Sequence, residues 1–334
     1  MKRKSIVMSL IFVCCLFFWF SKTEQAQAAT NLTSINAEAS VNGSSTRVAE
    51  PRTVGGTEFR METHGGFFSP TTKKLYAYKN KKWILIASSD GVKSDLDKQI
   101  VTDGKKVYYS ETVYTKSLTG QQVPKRIKVY RVTIGKKSKE ICSMKAYVGN
   151  REIVFRMMGI YGGKIIYCDG IDDIYSYSIK SRKHKELYSM TLDTDRIRQY
   201  NNFIYFQGGL WGTAGTVEIL NAKNGRVTEL SEDVMTEYKR VMYDELQRAN
   251  YDIVNGKLYY LEFVKKGGDN PYGGSYSYVA VKKCNPNGSG KRTLIKKLAV
   301  SHTKMAEFKR NWFTKKNWLT YYNANGRKRM KKLK

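Results

Sequence analysis

Three closely spaced aspartates, Asp169, Asp172 and Asp173, are the first residues whose type and spacing suggest chemistry. Clustered carboxylate oxygens suit a hard cation such as Ca²⁺. The spacing follows no EF-hand loop, however, and aspartate also initiates turns. Two glycine-rich stretches offer a different chemistry. Gly208-Gly209-Leu210-Trp211-Gly212 and Gly267-Gly268-Asp269-Asn270-Pro271-Tyr272-Gly273-Gly274, with Tyr276 just beyond, set aromatic rings on pliant backbone. Such rings stack on sugars or cover peptide side chains, although Gly and Asn also favour turns on their own account. The candidate ligand-binding residues are therefore Trp211, Asp269, Tyr272, Tyr276, Asp169, Asp172 and Asp173. No cofactor is expected beyond Ca²⁺ at the aspartates.

Catalytic constellations are harder to find. His64, His184 and His302 are too scattered for a triad or a metal set, and His184, between Lys183 and Lys185, reads as a solvated turn residue. No glycine loop follows a strand and opens a helix, as a phosphate cradle requires. Beyond the amino-terminal apolar run the cysteines are Cys142, Cys168 and Cys284, an odd number without CxxC spacing. That argues against both a disulfide framework and a zinc site.

The elements that must position these residues are short and repeated. Asp103-Gly104-Lys105-Lys106-Val107-Tyr108-Tyr109 is followed by Val129-Tyr130-Arg131-Val132 and a turn at Gly135. Gly162-Gly163-Lys164-Ile165-Ile166-Tyr167 precedes Ile174-Tyr175-Ser176-Tyr177. Asn201-Asn202-Phe203-Ile204-Tyr205-Phe206 precedes Thr216-Val217-Glu218-Ile219-Leu220 and the turn Asn224-Gly225. Asn255-Gly256-Lys257-Leu258-Tyr259-Tyr260 precedes Tyr278-Val279-Ala280-Val281. Each copy reads as two hairpins in one four-stranded antiparallel sheet. Tyr321 to Arg327 echoes the outer hairpin at Ile219 to Arg226. Leu75 to Tyr78 with Trp83 to Ala87 fits either the inner or the outer hairpin. Residues 110 to 127 and 262 to 277 read as long loops between second and third strands. Residues 232 to 249, with Val234, Tyr238, Val241, Met242 and Leu246 at helical spacing, read as one inserted amphipathic helix.

The fold class is accordingly all-β, a propeller. At roughly 45 residues per repeat the spacing gives about six blades, with five or seven also admitted. The turn-Lys-apolar-Tyr strand and its apolar-Tyr-x-apolar partner resemble the TolB-like, WD40-like propellers. The resemblance over residues 58 to 333 is nearest to secreted propellers of Gram-positive bacteria related to the YWTD receptor propellers. Ser-Pro precedes a turn only at Ser69-Pro70 and no YWTD run is present, so no site residue is carried over from that family.

The amino terminus supplies an address. Lys2, Arg3 and Lys4, the apolar run Ile6 to Phe20 and Ala26-Gln27-Ala28 are ordered as in a secretory signal peptide over residues 1 to 28. Residues 29 to 57, rich in Ser, Asn, Thr and Gly, read as a flexible leader to a propeller over 58 to 334. Loss of the signal segment lowers the formal charge from +30 to about +27, which favours anionic partners. Outside the cell these are wall polymers or lipid head groups rather than nucleic acid.

In a four-stranded blade the first-to-second and third-to-fourth turns emerge at one end. Those turns hold Lys105, Lys106, Lys164 and Lys257, with Lys136, Lys137, Arg182, Lys183, Arg226, Lys291 and Arg327 on the outer hairpins. The opposite end receives the aspartates and the aromatic loops. The reading is a secreted, non-catalytic binding module associated with the cell wall. Its loop end would recognise polysaccharide or protein, and its basic end an anionic wall polymer or membrane surface. The alternative is a propeller-type glycoside hydrolase or other carbohydrate-active enzyme.

Overall fold

In a computed structural model the chain is described at residues 30–37, 53–64, 71–170, 173–189, 192–208, 217–230, 251–265, 276–298 and 317–333. It divides into two compact units, Met1–Thr30 and Asn31–Lys334, and every strand belongs to the second. Among the described residues no helix is long and apolar enough to cross a membrane. The expected helix over 232 to 249 lies outside the described residues.

The first strand, β1 (Asn31–Asn36), stands apart from the repeats. The first meander is β2 (Thr53–Val54), β3 (Thr57–His64), β4 (Thr72–Lys79) and β5 (Lys82–Ser89). A short β6 (Ser94–Leu96) leads into the second: β7 (Gln99–Thr102), β8 (Lys106–Lys116), β9 (Gln122–Thr133) and β10 (Lys139–Lys145). The small hairpin β11 (Tyr147–Val148) and β12 (Arg151–Glu152) connects onward. The third meander is β13 (Phe155–Tyr161), β14 (Lys164–Asp169), β15 (Asp173–Ser178) and β16 (His184–Ser189). The fourth is β17 (Leu192–Tyr200), β18 (Phe203–Gly208), β19 (Val217–Asn221) and β20 (Arg226–Glu229). The fifth is β21 (Tyr251–Val254), β22 (Lys257–Lys265), β23 (Tyr276–Cys284) and β24 (Arg292–Ile295). A carboxy-terminal hairpin, β25 (Trp318–Tyr322) and β26 (Lys328–Lys332), closes the series.

Alternation of side chains across each strand explains the packing. Along β3 the buried residues are Thr57, Phe59 and Met61. Phe59 and Met61 meet Leu75, Ala77, Ile100 and Val107 in a cluster shared by the first two meanders. Further clusters lie between the second and third, the third and fourth, and the fourth and fifth meanders. Small antiparallel sheets stacked face to face in chain order make an all-β, propeller-like arrangement. The ambiguous hairpin resolves cleanly: Leu75 to Tyr78 and Trp83 to Ala87 lie on β4 and β5, the outer pair.

Three sequence expectations need correction. The supposed leader is not uniformly without structure, because β1 pairs antiparallel with β7 on one side and β17 on the other. It thereby fuses the second and fourth meanders into one ten-stranded sheet. The insert at 110 to 127 is no loop. It continues β8 and β9 as a long hairpin, and Ser117 N–H donates to the Gln121 carbonyl at its tip, 2.7 Å. His184 is not a solvated turn residue either. It packs against Tyr177, its Nδ1 lies 2.8 Å from the Tyr167 hydroxyl, and burial holds its pKa below the ordinary value.

Candidate functional site

Both neighbours of β1 are antiparallel to it, so β7 and β17 run in the same direction and the second and fourth meanders share one orientation. Contacts at the tight turns extend this sense to the others. Thr57 Oγ1 donates to the Gly104 carbonyl at 2.7 Å, joining the turns of the first and second meanders. A Cβ added at Gly104 would sit 2.3 Å from the Val54 carbonyl oxygen, so only glycine allows that approach. Gln199 accepts from Ile160 N–H at 2.9 Å and donates to the Ile160 carbonyl at 2.7 Å, aligning the third and fourth. Gly256 lies beside the Tyr200 hydroxyl, aligning the fourth and fifth. The tight turns of all five therefore gather at one end.

That turn end is cationic. Its tight turns and outer hairpin turns carry Lys81, Lys105, Lys136, Lys137, Lys180, Arg182, Lys183, Lys223 and Lys291, all in connections between strands. Among those described turns the one carboxylate is Asp103. Its Oδ1 accepts from the Lys105 and Lys106 N–H groups at 2.8 and 2.7 Å, so it holds the turn together. The opposite end is mixed. It carries Lys93, Lys116, Lys125 and Arg126 alongside Asp90, Asp95, Asp97 and Asp169.

At that opposite end the structure unites two of the predicted residues. Asp169 closes β14 and Asp173 opens β15, directly paired across the hairpin. The Arg151 guanidinium lies over both, with Nε 3.5 Å from Asp169 Oδ2 and Nη1 3.3 Å from Asp173 Oδ2. Asp169 also accepts from Val154 N–H at 2.8 Å, and Asp173 accepts from Ser189 Oγ at 2.7 Å. The neighbouring carboxylate of Asp169 is the main cause of Arg151's raised pKa. The Arg151 cation thus lies beside the two described aspartates of the three that suggested Ca²⁺. Arg151 was not singled out from the sequence because it belongs to no repeat. Its one signal is the Gly149-Asn150 turn that aims β12 back at the third meander.

Trp211, Asp269, Tyr272 and Asp172 lie outside the described residues. Tyr276 begins β23, paired with Lys265. Replacing Arg151 by alanine is expected to lower the melting temperature, since Asp169 is buried and would lose its cation. Adding Asp169→Asn should restore part of the loss, and thermal melts of the two single variants and the double variant check the coupling.

Several other perturbed groups are interior. Burial raises the thiols of Cys142 and Cys284, to about 12 and about 11, and all three described cysteines are buried. Glu218 on β19 is wholly enclosed, and burial raises its pKa to about 7. The Tyr188 hydroxyl opposes that rise and Glu229 adds to it. A carboxyl sealed inside the protein has no access to a substrate.

No protein-family model and no curated protein matches the chain. Solved structures similar to it are propeller-like folds at low TM-score. A puromycin-hydrolysing peptidase of Mycobacterium tuberculosis is 13% identical with a TM-score of 0.29, over 57% of this chain and 29% of its own. A protein of unknown function from Bacteroides thetaiotaomicron is 8% identical with a TM-score of 0.31, over 82% and 66%. An oligogalacturonate lyase from Vibrio parahaemolyticus is 7% identical with a TM-score of 0.24, over 83% and 86%. The chain spans less than a third of the peptidase's length.

Proposed function

We propose that the chain is a secreted propeller of about six blades that binds an anionic cell-surface polymer through its turn end, without catalysis. The carboxy-terminal hairpin would be the outer half of the sixth blade. The observation that carries the reading is the one-signed turn end, where cations recur from meander to meander and the lone carboxylate is tied into its own turn. Lysine on outer strands also guards sheet edges against pairing. Edge protection, however, asks nothing of the tight inner turns, and Lys105 lies on one of them. In this reading the mixed end, with Trp211, Tyr272 and Tyr276, receives polysaccharide or protein.

Charge attraction between exposed groups is screened as ionic strength rises. Mature protein mixed with isolated cell-wall fraction should sediment with it at low salt and be largely released near 1 M salt. Equal retention at both would remove the electrostatic basis of the proposal.

A further inference from the structure

A concave feature lies among the described residues of the turn end. Between the fourth and fifth meanders lies a pocket of about 230 Å³ lined by Phe203, Ile219, Asn221, Asn224, Arg226, Thr228 and Asn287. Three of its residues form a row across the fourth meander, Phe203 beside Asn221 and Asn221 beside Arg226. Ile219 and Thr228 are the next cross-strand pair below. Asn287 comes from the turn between β23 and β24, and that turn is fastened to the fourth meander. The Tyr205 hydroxyl donates to the Pro286 carbonyl at 2.7 Å, and Lys291 Nζ donates to the Leu230 carbonyl. Gly288 is buried so closely against Ile219 and Leu230 that an added Cβ would meet them at 3.1 and 3.3 Å. The wall is therefore held in place before any ligand arrives, which lowers the cost of binding.

The hydrogen bonds decide what the pocket can take. Asn221 Oδ1 accepts from Asn202 Nδ2 at 2.8 Å and from Lys223 N–H at 3.0 Å. Asn224 Oδ1 accepts from Arg226 N–H at 3.0 Å. Asn287 Oδ1 accepts from Ser289 N–H at 3.1 Å and from Ser289 Oγ at 2.7 Å. Backbone N–H groups can only donate, so these bonds fix which way each carboxamide is turned. The Asn221 and Asn287 oxygens each accept two bonds and that of Asn224 accepts one, and these bonds use none of the three Nδ2 groups. With the Arg226 guanidinium, the polar groups are almost all donors, the Thr228 hydroxyl serving either role, and no carboxylate lines the pocket. Phe203 and Ile219 supply an apolar side.

We infer that this pocket binds a phosphodiester unit of an anionic polyol polymer, its oxygens facing the amides and guanidinium and its carbon skeleton lying on Phe203. This rests on the proposed polymer binding and locates its specific contact, the other turn cations supplying general attraction. A recess between two meanders fits a unit of a flexible chain better than a flat bilayer.

The test uses the mature full-length protein with sn-glycerol 3-phosphate as probe and glycerol as the uncharged control. Asn224→Asp with Asn287→Asp keeps both turn-capping oxygens but replaces donors by acceptors. Lys93→Gln with Lys125→Gln makes the same change in net charge at the opposite end. Saturable binding of the phosphate but not of glycerol is expected in the wild type and in the lysine variant. The asparagine variant should bind about tenfold more weakly or worse, and Arg226→Gln, at an exposed site, should weaken it likewise without affecting folding. No saturable binding by the wild type, or equal weakening in the lysine and asparagine variants, overturns the pocket. Retention of the wild type and the lysine variant on wall polymer, weakened in the asparagine variant, supports the pocket and the polymer reading together. Saturable glycerol 3-phosphate binding by a wild type that is not retained on wall polymer counts against the polymer reading alone. Phosphatidylglycerol vesicles form the last arm, and binding to them that needs Asn224 and Asn287 would replace the polymer by a lipid head group.

Discussion

Deletion of residues 31 to 37 should leave a chain that does not fold cooperatively. β1 is hydrogen-bonded on both sides, to β7 and to β17, so removing it exposes two strand edges in the interior. It also removes apolar side chains from two clusters, Leu32 between the second and third meanders and Ile35 and Ala37 between the first and second. Its polar side chains are committed as well. Ser34 Oγ donates to the Met157 carbonyl at 2.9 Å and accepts from Gln99, while Thr33 accepts from Arg198. The single substitution Ser34→Pro tests the same point more gently. Ser34 pairs with Ile197 and Val101, and proline there removes a donor from a central strand. A loss of about 3 kcal/mol or more is expected in denaturant unfolding. A variant as stable as the wild type would show that the strand is dispensable.

The second large effect is a pH dependence centred on Glu218. Its folded pKa of about 7 lies above the ordinary 4.5, so between those values the folded state holds a proton that the unfolded state has released. Stability must then fall as pH rises through that window and level off above it. The difference of pKa values corresponds to about 3 kcal/mol at pH 8 relative to pH 4. Asp97, raised by burial to about 6, contributes in the same direction over a lower window, from its ordinary 3.8. Glu218→Gln cannot ionise, so its stability curve should lack the fall between pH 6 and 7 while keeping the part due to Asp97. Parallel curves for wild type and variant would refute the assignment.

These two features differ in how far the sequence disclosed them. The Tyr-bearing hairpins were legible because a strand buried between two sheets needs β-branched and aromatic residues at alternate positions, as Ile165, Tyr167 and Ile204 show. The strand β1 was not. Asn31-Leu32-Thr33-Ser34-Ile35-Asn36 has two large apolar side chains and the composition of a linker. It is buried all the same, with buried polar neighbours Gln99, Thr102 and Gln199 beside its few apolar contacts. Burial secured by hydrogen bonds leaves no hydrophobic pattern to read. The long β8–β9 hairpin was missed for a related reason, since its outer half is a mixture of half-buried and exposed residues and carries no alternation.

The candidate sites divide in the same way. Asp169 and Asp173 were found from spacing and do meet, but their partner Arg151 is distant in sequence from any motif. Asn221, Asn224 and Asn287 look like turn formers, and they are. Their second role as lining donors depends on which atoms the turns leave over, and only the three-dimensional register of two neighbouring meanders shows that.

The central claim is that one end of the protein, and not its overall charge, meets the anionic polymer. Its most direct measurement is wall-polymer affinity at low salt for two variants of equal net charge. One neutralises Lys105, Lys136 and Lys183 at the turn end, and the other neutralises Lys93, Lys116 and Lys125 at the opposite end. The account predicts a marked loss for the first and near wild-type affinity for the second. Equal losses would contradict it.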